Sequence, residues 1–96
     1  MEKIEINVAN AKTKDDIQNI LMKAMTLPEY YGKNLDALYD SVSTMYIGKR
    51  VEFSLKGLDK LPEDISDYGQ KVKTIFKRAS KESIKVSDST FIQVKD

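Results

Sequence analysis

The chain has no cysteine and no histidine, and only 2 prolines and 4 glycines among its 96 residues. Without cysteine there can be no disulfide, thiol nucleophile or thiolate-held zinc. Without histidine the commonest general base and the commonest metal ligand are both missing. No apolar run approaches the roughly 20 residues a membrane-crossing helix needs. The N-terminus, Met-Glu-Lys-Ile-Glu-Ile, carries acids early and lacks the apolar stretch of a signal peptide, so a cytoplasmic protein is expected. An excess of either charge is also lacking: 16 basic residues face 15 acidic ones, a formal net charge of +1. The distribution is nonetheless uneven. Residues 27–40 hold Glu29, Asp36 and Asp40 against Lys33, whereas residues 68–82 hold Lys71, Lys73, Lys77, Arg78 and Lys81 against Glu82.

What is present suits a soluble globular protein, with 41% apolar and 32% charged residues. At this length one domain spanning residues 1–96, with a single modest core, is expected. Ile4, Ile6 and Val8 alternate with Glu5 and Asn7, the period of a strand wet on one side. Thr13 then caps a helix whose first turn holds Asp15 and Asp16 and whose inward stripe is Ile17, Ile20, Leu21 and Ala24. Pro28 stops that helix near Thr26, and Gly32 is the expected left-handed residue of the loop that follows. Asn34 caps a second helix that buries Leu35, Leu38, Tyr39 and Val42. Gly48 and Lys49 end it before Val51, Phe53 and Leu55 alternate as a second strand.

Leu61-Pro62-Glu63-Asp64 reads as a turn or a short helix start. A further helix is expected from about Tyr68 to Lys81, with Val72, Ile75, Phe76 and Ala79 inward. Ile84 and Val86 suggest a strand, and Phe91 to Val94 either an extra C-terminal arm or the true last strand. Alternating strands and helices imply parallel pairing through right-handed crossovers. The expected fold is a two-layer α/β sandwich: a three-stranded parallel sheet with helices on one face.

Residues 27–40 carry the chemistry. Two adjacent tyrosines, Tyr30 and Tyr31, sit on a Pro/Gly loop that opens into a helix bearing Asp36 and Asp40, one turn apart and off the buried stripe. An aromatic loop beside outward-facing acids suits a basic, nucleotide-shaped pocket on another molecule. Each residue also has a plainer reading. Asp40 fits a solvated surface acid, and Asp36 simply favours its helix N-terminus. The tyrosines could close the core from above.

The same stretch, Leu-Pro-Glu-Tyr-Tyr-Gly-Lys-Asn-Leu-Asp-Ala-Leu-Tyr-Asp, resembles almost residue for residue the signature of the barstar family, intracellular inhibitors of secreted bacterial ribonucleases. Outside these positions the resemblance lies in element order and length. It implies the same fold, and a protein that blocks a ribonuclease active site by mimicking RNA phosphate. By that resemblance Asp40 enters the active site in place of a phosphate, Asp36 is a second acidic contact, and Tyr30 lies against the catalytic region. Tyr31, beside it, leans toward packing. Gly32 permits close backbone approach, Asn34 bonds across the interface while capping its helix, and Leu35 divides between apolar contact and core. Tyr39 stands where the family carries tryptophan and shares both duties.

This chain also departs from the family. The family is acidic, and Lys33 replaces an acid. Aligning on Phe76 puts Arg78 where the last helix of the family carries a glutamate. Long-range attraction speeds encounter, an effect for which barnase and barstar are themselves the standard illustration. This chain should gain less of it, and Arg78 should repel a basic face. The implied partner is a cognate ribonuclease whose charge pattern differs from that of barnase, bound by a monomer with no cofactor, metal, membrane or direct nucleic-acid contact.

Other classes of function fit less well. An acid–base pair of Asp36 and Asp40 would need a cleft, which one helical turn on an open face does not make. A Mg²⁺ site from the same acids lacks preorganisation. The basic helix 71–81 could neutralise RNA phosphates, but the chain is not basic overall and its aromatics sit with the acids instead of the lysines. A barstar-like fold serving another basic protein remains the nearest alternative.

Overall fold

The computed structural model describes residues 1–95. Strand β1 (Glu2–Asn7) buries Ile4 and Ile6 and exposes Lys3 and Glu5, as its alternation requires. Helix α1 (Lys14–Met25) begins with a reciprocal cap. The Thr13 hydroxyl accepts from the Asp16 N–H at 3.0 Å, and the Asp16 carboxylate accepts from the N–H groups of Lys12 and Thr13 at 2.9 and 3.2 Å. Those donors, Lys12 foremost, hold the Asp16 carboxyl below the usual carboxylate range. The inward residues of α1 are Ile17, Gln18, Leu21 and Met25, while Ile20 and Ala24 are half-buried. The helix ends on Thr26 in the left-handed region, φ 53°.

Helix α2 (Leu35–Met45) is capped by Asn34, whose Oδ1 accepts from the Ala37 N–H at 2.7 Å. Leu38 and Val42 anchor it in the core, with Leu35 and Tyr39 half-buried beside them. Strand β2 (Arg50–Lys56) runs through the middle of a parallel sheet ordered β1-β2-β3. Ile4 lies opposite Phe53 and Ile6 opposite Leu55; Val51 lies opposite Ile92 and Phe53 opposite Val94. Strands placed in chain order and joined by right-handed crossovers put every helix on one side. The other side is polar: Lys56 pairs with Glu5 at 2.8 Å and Lys95 with Glu52 at 3.1 Å. Phe53 centres the core, edge-on to Tyr46 and Phe76 at 5.1 and 4.9 Å between centroids.

From residue 61 onward the structure corrects the sequence reading. After a 3-10 turn (Leu58–Lys60), one unbroken helix α3 runs from Glu63 to Val86, 24 residues, with Pro62 at its N-cap. There is no separate start at Tyr68, because Ile65 and Gly69 extend the buried row of Val72, Phe76 and Ala79 backward at helical spacing. Nor are Ile84 and Val86 a strand; they belong to the last turns of α3 and are 42% and 67% exposed. Ser83 continues the inward row instead, its hydroxyl within reach of the carbonyls of Ser43 and Val42 at 2.8 and 3.1 Å. The last strand is β3 (Phe91–Lys95), and no fourth strand follows it among the described residues.

Candidate functional site

The loop between α1 and α2 is held at both ends. Leu27 is buried at one side and Tyr31 at the other, only 8% exposed. The Tyr31 N–H donates to the Pro28 carbonyl at 3.0 Å, closing a turn. Its hydroxyl donates to Oε1 of buried Gln18 at 2.6 Å, and Gln18 Nε2 donates onward to the Tyr68 hydroxyl at 2.7 Å. Burial above all, with Tyr68 nearby, pushes the Tyr31 phenol up to about 12. With its neighbours fixed, Tyr30 has nowhere to pack and stands 89% exposed. Of the adjacent tyrosines, Tyr30 therefore presents a face to solvent while Tyr31 ties the loop to the core.

Gly32 is not the left-handed residue of this loop. That conformation falls on Lys33, φ 51°. Space is tight at Gly32: a Cβ there would lie 3.2 Å from Asn34 Nδ2 and 3.4 Å from the Ala37 Cβ, so the Asn34 amide would have to give way slightly. The Asn34 amide fills that space, donating to the Gly32 carbonyl at 3.2 Å while its oxygen caps α2. One side chain thus fixes the loop to the helix that carries the acids.

Asp36 and Asp40 are exposed, and neither carboxylate has a hydrogen-bond or ion-pair partner among the described residues. Only the backbone carbonyl of Asp40 is engaged, accepting from the hydroxyls of Thr44 at 2.7 Å and Ser43 at 3.1 Å. Although the two acids are one turn apart, they open onto different depressions. Asp40 lines a groove of about 430 Å³ with Thr26, Pro28, Tyr30, Thr44 and Met45. Asp36 borders a second, of about 480 Å³, with Lys14, Gln18, Lys33, Asn34 and Tyr68. The structure brings Tyr30 and Asp40 together, therefore, and sets Asn34, Leu35 and Asp36 beside the start of α1.

Arg78 lies in neither depression. Two residues beyond buried Phe76, it is about 200° round the helix and faces outward. Tyr39 is half-buried against the core and lines neither depression. Sequence reasoning missed Gln18, Lys14, Thr26, Thr44 and Met45. Only Gln18 left a trace, as a polar residue next to Ile17 on the inward side of α1. Among the described residues no cluster of three acidic side chains is placed to hold a metal ion, and no helix is long and apolar enough to cross a membrane.

An open groove with a protruding aromatic ring and an unpartnered carboxylate is a surface for meeting another molecule. Comparison with known families agrees. A family model described as Barstar (barnase inhibitor) matches residues 1–94, nearly the whole chain, and the chain belongs to that family. It is a family of inhibitors that bind a ribonuclease and not of catalysts.

Proposed function

We propose that this barstar-family chain inhibits a barnase-like or toxin-type bacterial ribonuclease by occupying its active site, with Asp40 in the place of a substrate phosphate. The observation that supports this most is the free Asp40 carboxylate opening beside exposed Tyr30 on a tethered loop and a capped helix. A carboxylate can take two parallel N–H bonds from an arginine, as a phosphate does, so a phosphate-binding pocket accepts it without rearrangement. The Tyr30 ring supplies a flat apolar contact next to the charge, the kind of side chain enriched in interface centres. Because the loop is already anchored by Leu27, Tyr31 and Asn34, binding freezes little further motion, which favours affinity. Asp36 contributes a second negative group one helical turn away.

The inhibitor performs no chemistry in this scheme. It excludes RNA from the nuclease and, in the producing cell, protects the cell's own RNA. Inhibition of RNA cleavage across a panel of purified small microbial ribonucleases tests the proposal. Stoichiometric inhibition of at least one member, relieved by excess RNA, is the expected result. A salt-dependent gel shift of RNA with the inhibitor alone would instead favour the basic face of α3 as the functional surface.

A further inference from the structure

Lys33 occupies a position that costs the fold something. It is a lysine in the left-handed region while its neighbour Gly32, the residue best suited to that conformation, is not there. Local compensation is slight. Its ammonium lies 3.7 Å from Asp15 with both side chains well exposed, 40% and 69%, and such pairs contribute little. What the conformation achieves is placement: Lys33 stands at the rim of a depression where Lys14 and Lys33 alternate with Asp15 and Asp36 around Asn34. Lys14 has no acidic partner among the described residues, and its ammonium lies 5.3 Å from the Tyr68 ring centroid. The floor is rigid, because Gln18 is bonded to both Tyr31 and Tyr68. Asn34 joins this depression to the loop that presents Tyr30.

We propose that Lys33, with Lys14 beside it, is a specificity-determining contact that receives a carboxylate of the target ribonuclease. This rests on the inhibitor reading given above and adds to it the charge pattern of the partner. The target presents a basic pocket to Asp40 and an aspartate or glutamate, about one loop's width away, to the ammonium groups. Strain retained at a surface lysine is then explained by binding and not by folding.

Lys33→Gly separates the two roles. Glycine relieves the left-handed strain, so the melting temperature should rise by about 2–4 °C. Against the ribonuclease that the unaltered protein inhibits most tightly in the purified panel, the inhibition constant should weaken by about tenfold. Lys33→Arg should restore it. Undiminished inhibition by Lys33→Gly would overturn the contact. A lowered melting temperature would overturn it too, by making the Asp15 pair the reason for the lysine. Failure of the unaltered protein to inhibit any nuclease would instead remove the inhibitor reading itself, and this inference with it.

Discussion

Replacing Asp40 with alanine separates a binding role from a folding role, because the two predict opposite signs. In the free protein the Asp40 carboxylate has no partner among the described residues, and its engaged carbonyl oxygen is kept by any residue at that position. Truncation therefore removes no internal contact. Alanine is the better helix former by about 0.5 kcal/mol, so α2 should gain slightly and the melting temperature should rise by about 2–4 °C. In the complex the same carboxylate would be enclosed among basic groups. Removing one member of a buried, hydrogen-bonded charge pair costs about 3–5 kcal/mol, largely because the partner charges are left unpaired. That converts to a loss of affinity of about a hundredfold to several thousandfold. Calorimetric titration of both proteins against the inhibited nuclease, beside their melting curves, measures the two terms separately. Equal affinities would end the phosphate-mimicry argument. A fall of several degrees in melting temperature would show that Asp40 holds the fold together in a way its geometry does not suggest.

Arg78→Glu removes a cation facing outward from α3 and should raise the association rate with barnase-like enzymes several-fold in stopped-flow mixing; an unchanged or slower rate would count against the alignment at Phe76. Tyr31→Phe leaves the buried Gln18 oxygen without its donor and should lower stability by about 1–3 kcal/mol in urea denaturation. Gly57→Ala should destabilise by about 2–4 kcal/mol in the same assay, since φ is 82° and a Cβ there runs into the backbone of Ala9. Burial pushes both Tyr31 and Tyr46 up to about 12 from an ordinary 10.0, so above pH 10 the unfolded chain loses its phenolic protons first. Their contribution is intact below pH 10 and is lost as pH climbs toward 12; the urea midpoint should drop between pH 10 and pH 12, and a flat midpoint would contradict the burial of these rings.

The elements with strong local instructions were legible from residues alone. Thr13 and Asn34 announced their helices by side-chain chemistry that acts within four residues, and both cap as expected. The alternation in β1 and β2 was equally plain, and with it the parallel sheet. Misreadings arose where local patterns carry two meanings. Ile84 and Val86 are spaced like strand residues, yet they are two exposed positions in the last turns of a long helix whose inward residues there, Ser80 and Ser83, are polar. Leu61 to Asp64 reads equally as a turn or a short helix start; a helix does start there, with Pro62 at its N-cap, but it is 24 residues long and runs on through Tyr68. Propensity favours Gly32 for the left-handed conformation, whereas the structure puts it on Lys33, with Gly32 close against Asn34 and Ala37. At the site, spacing put Asp36 and Asp40 on one helix face, but not in which hollow each would open. That depends on Tyr30 and Met45 on one side and Lys14 and Tyr68 on the other, residues brought near only by the packed fold.

The amide of Gln18 joins the α1–α2 loop to the last helix through two phenols. Such a chain resists change one link at a time, since losing any member strands a polar atom in a dry place. Exchanging all three for hydrocarbon of similar shape would cost far less than the first step alone. Descent with modification should therefore move these three positions as a set. The placement of the exposed tyrosine next door rests on that mutual dependence.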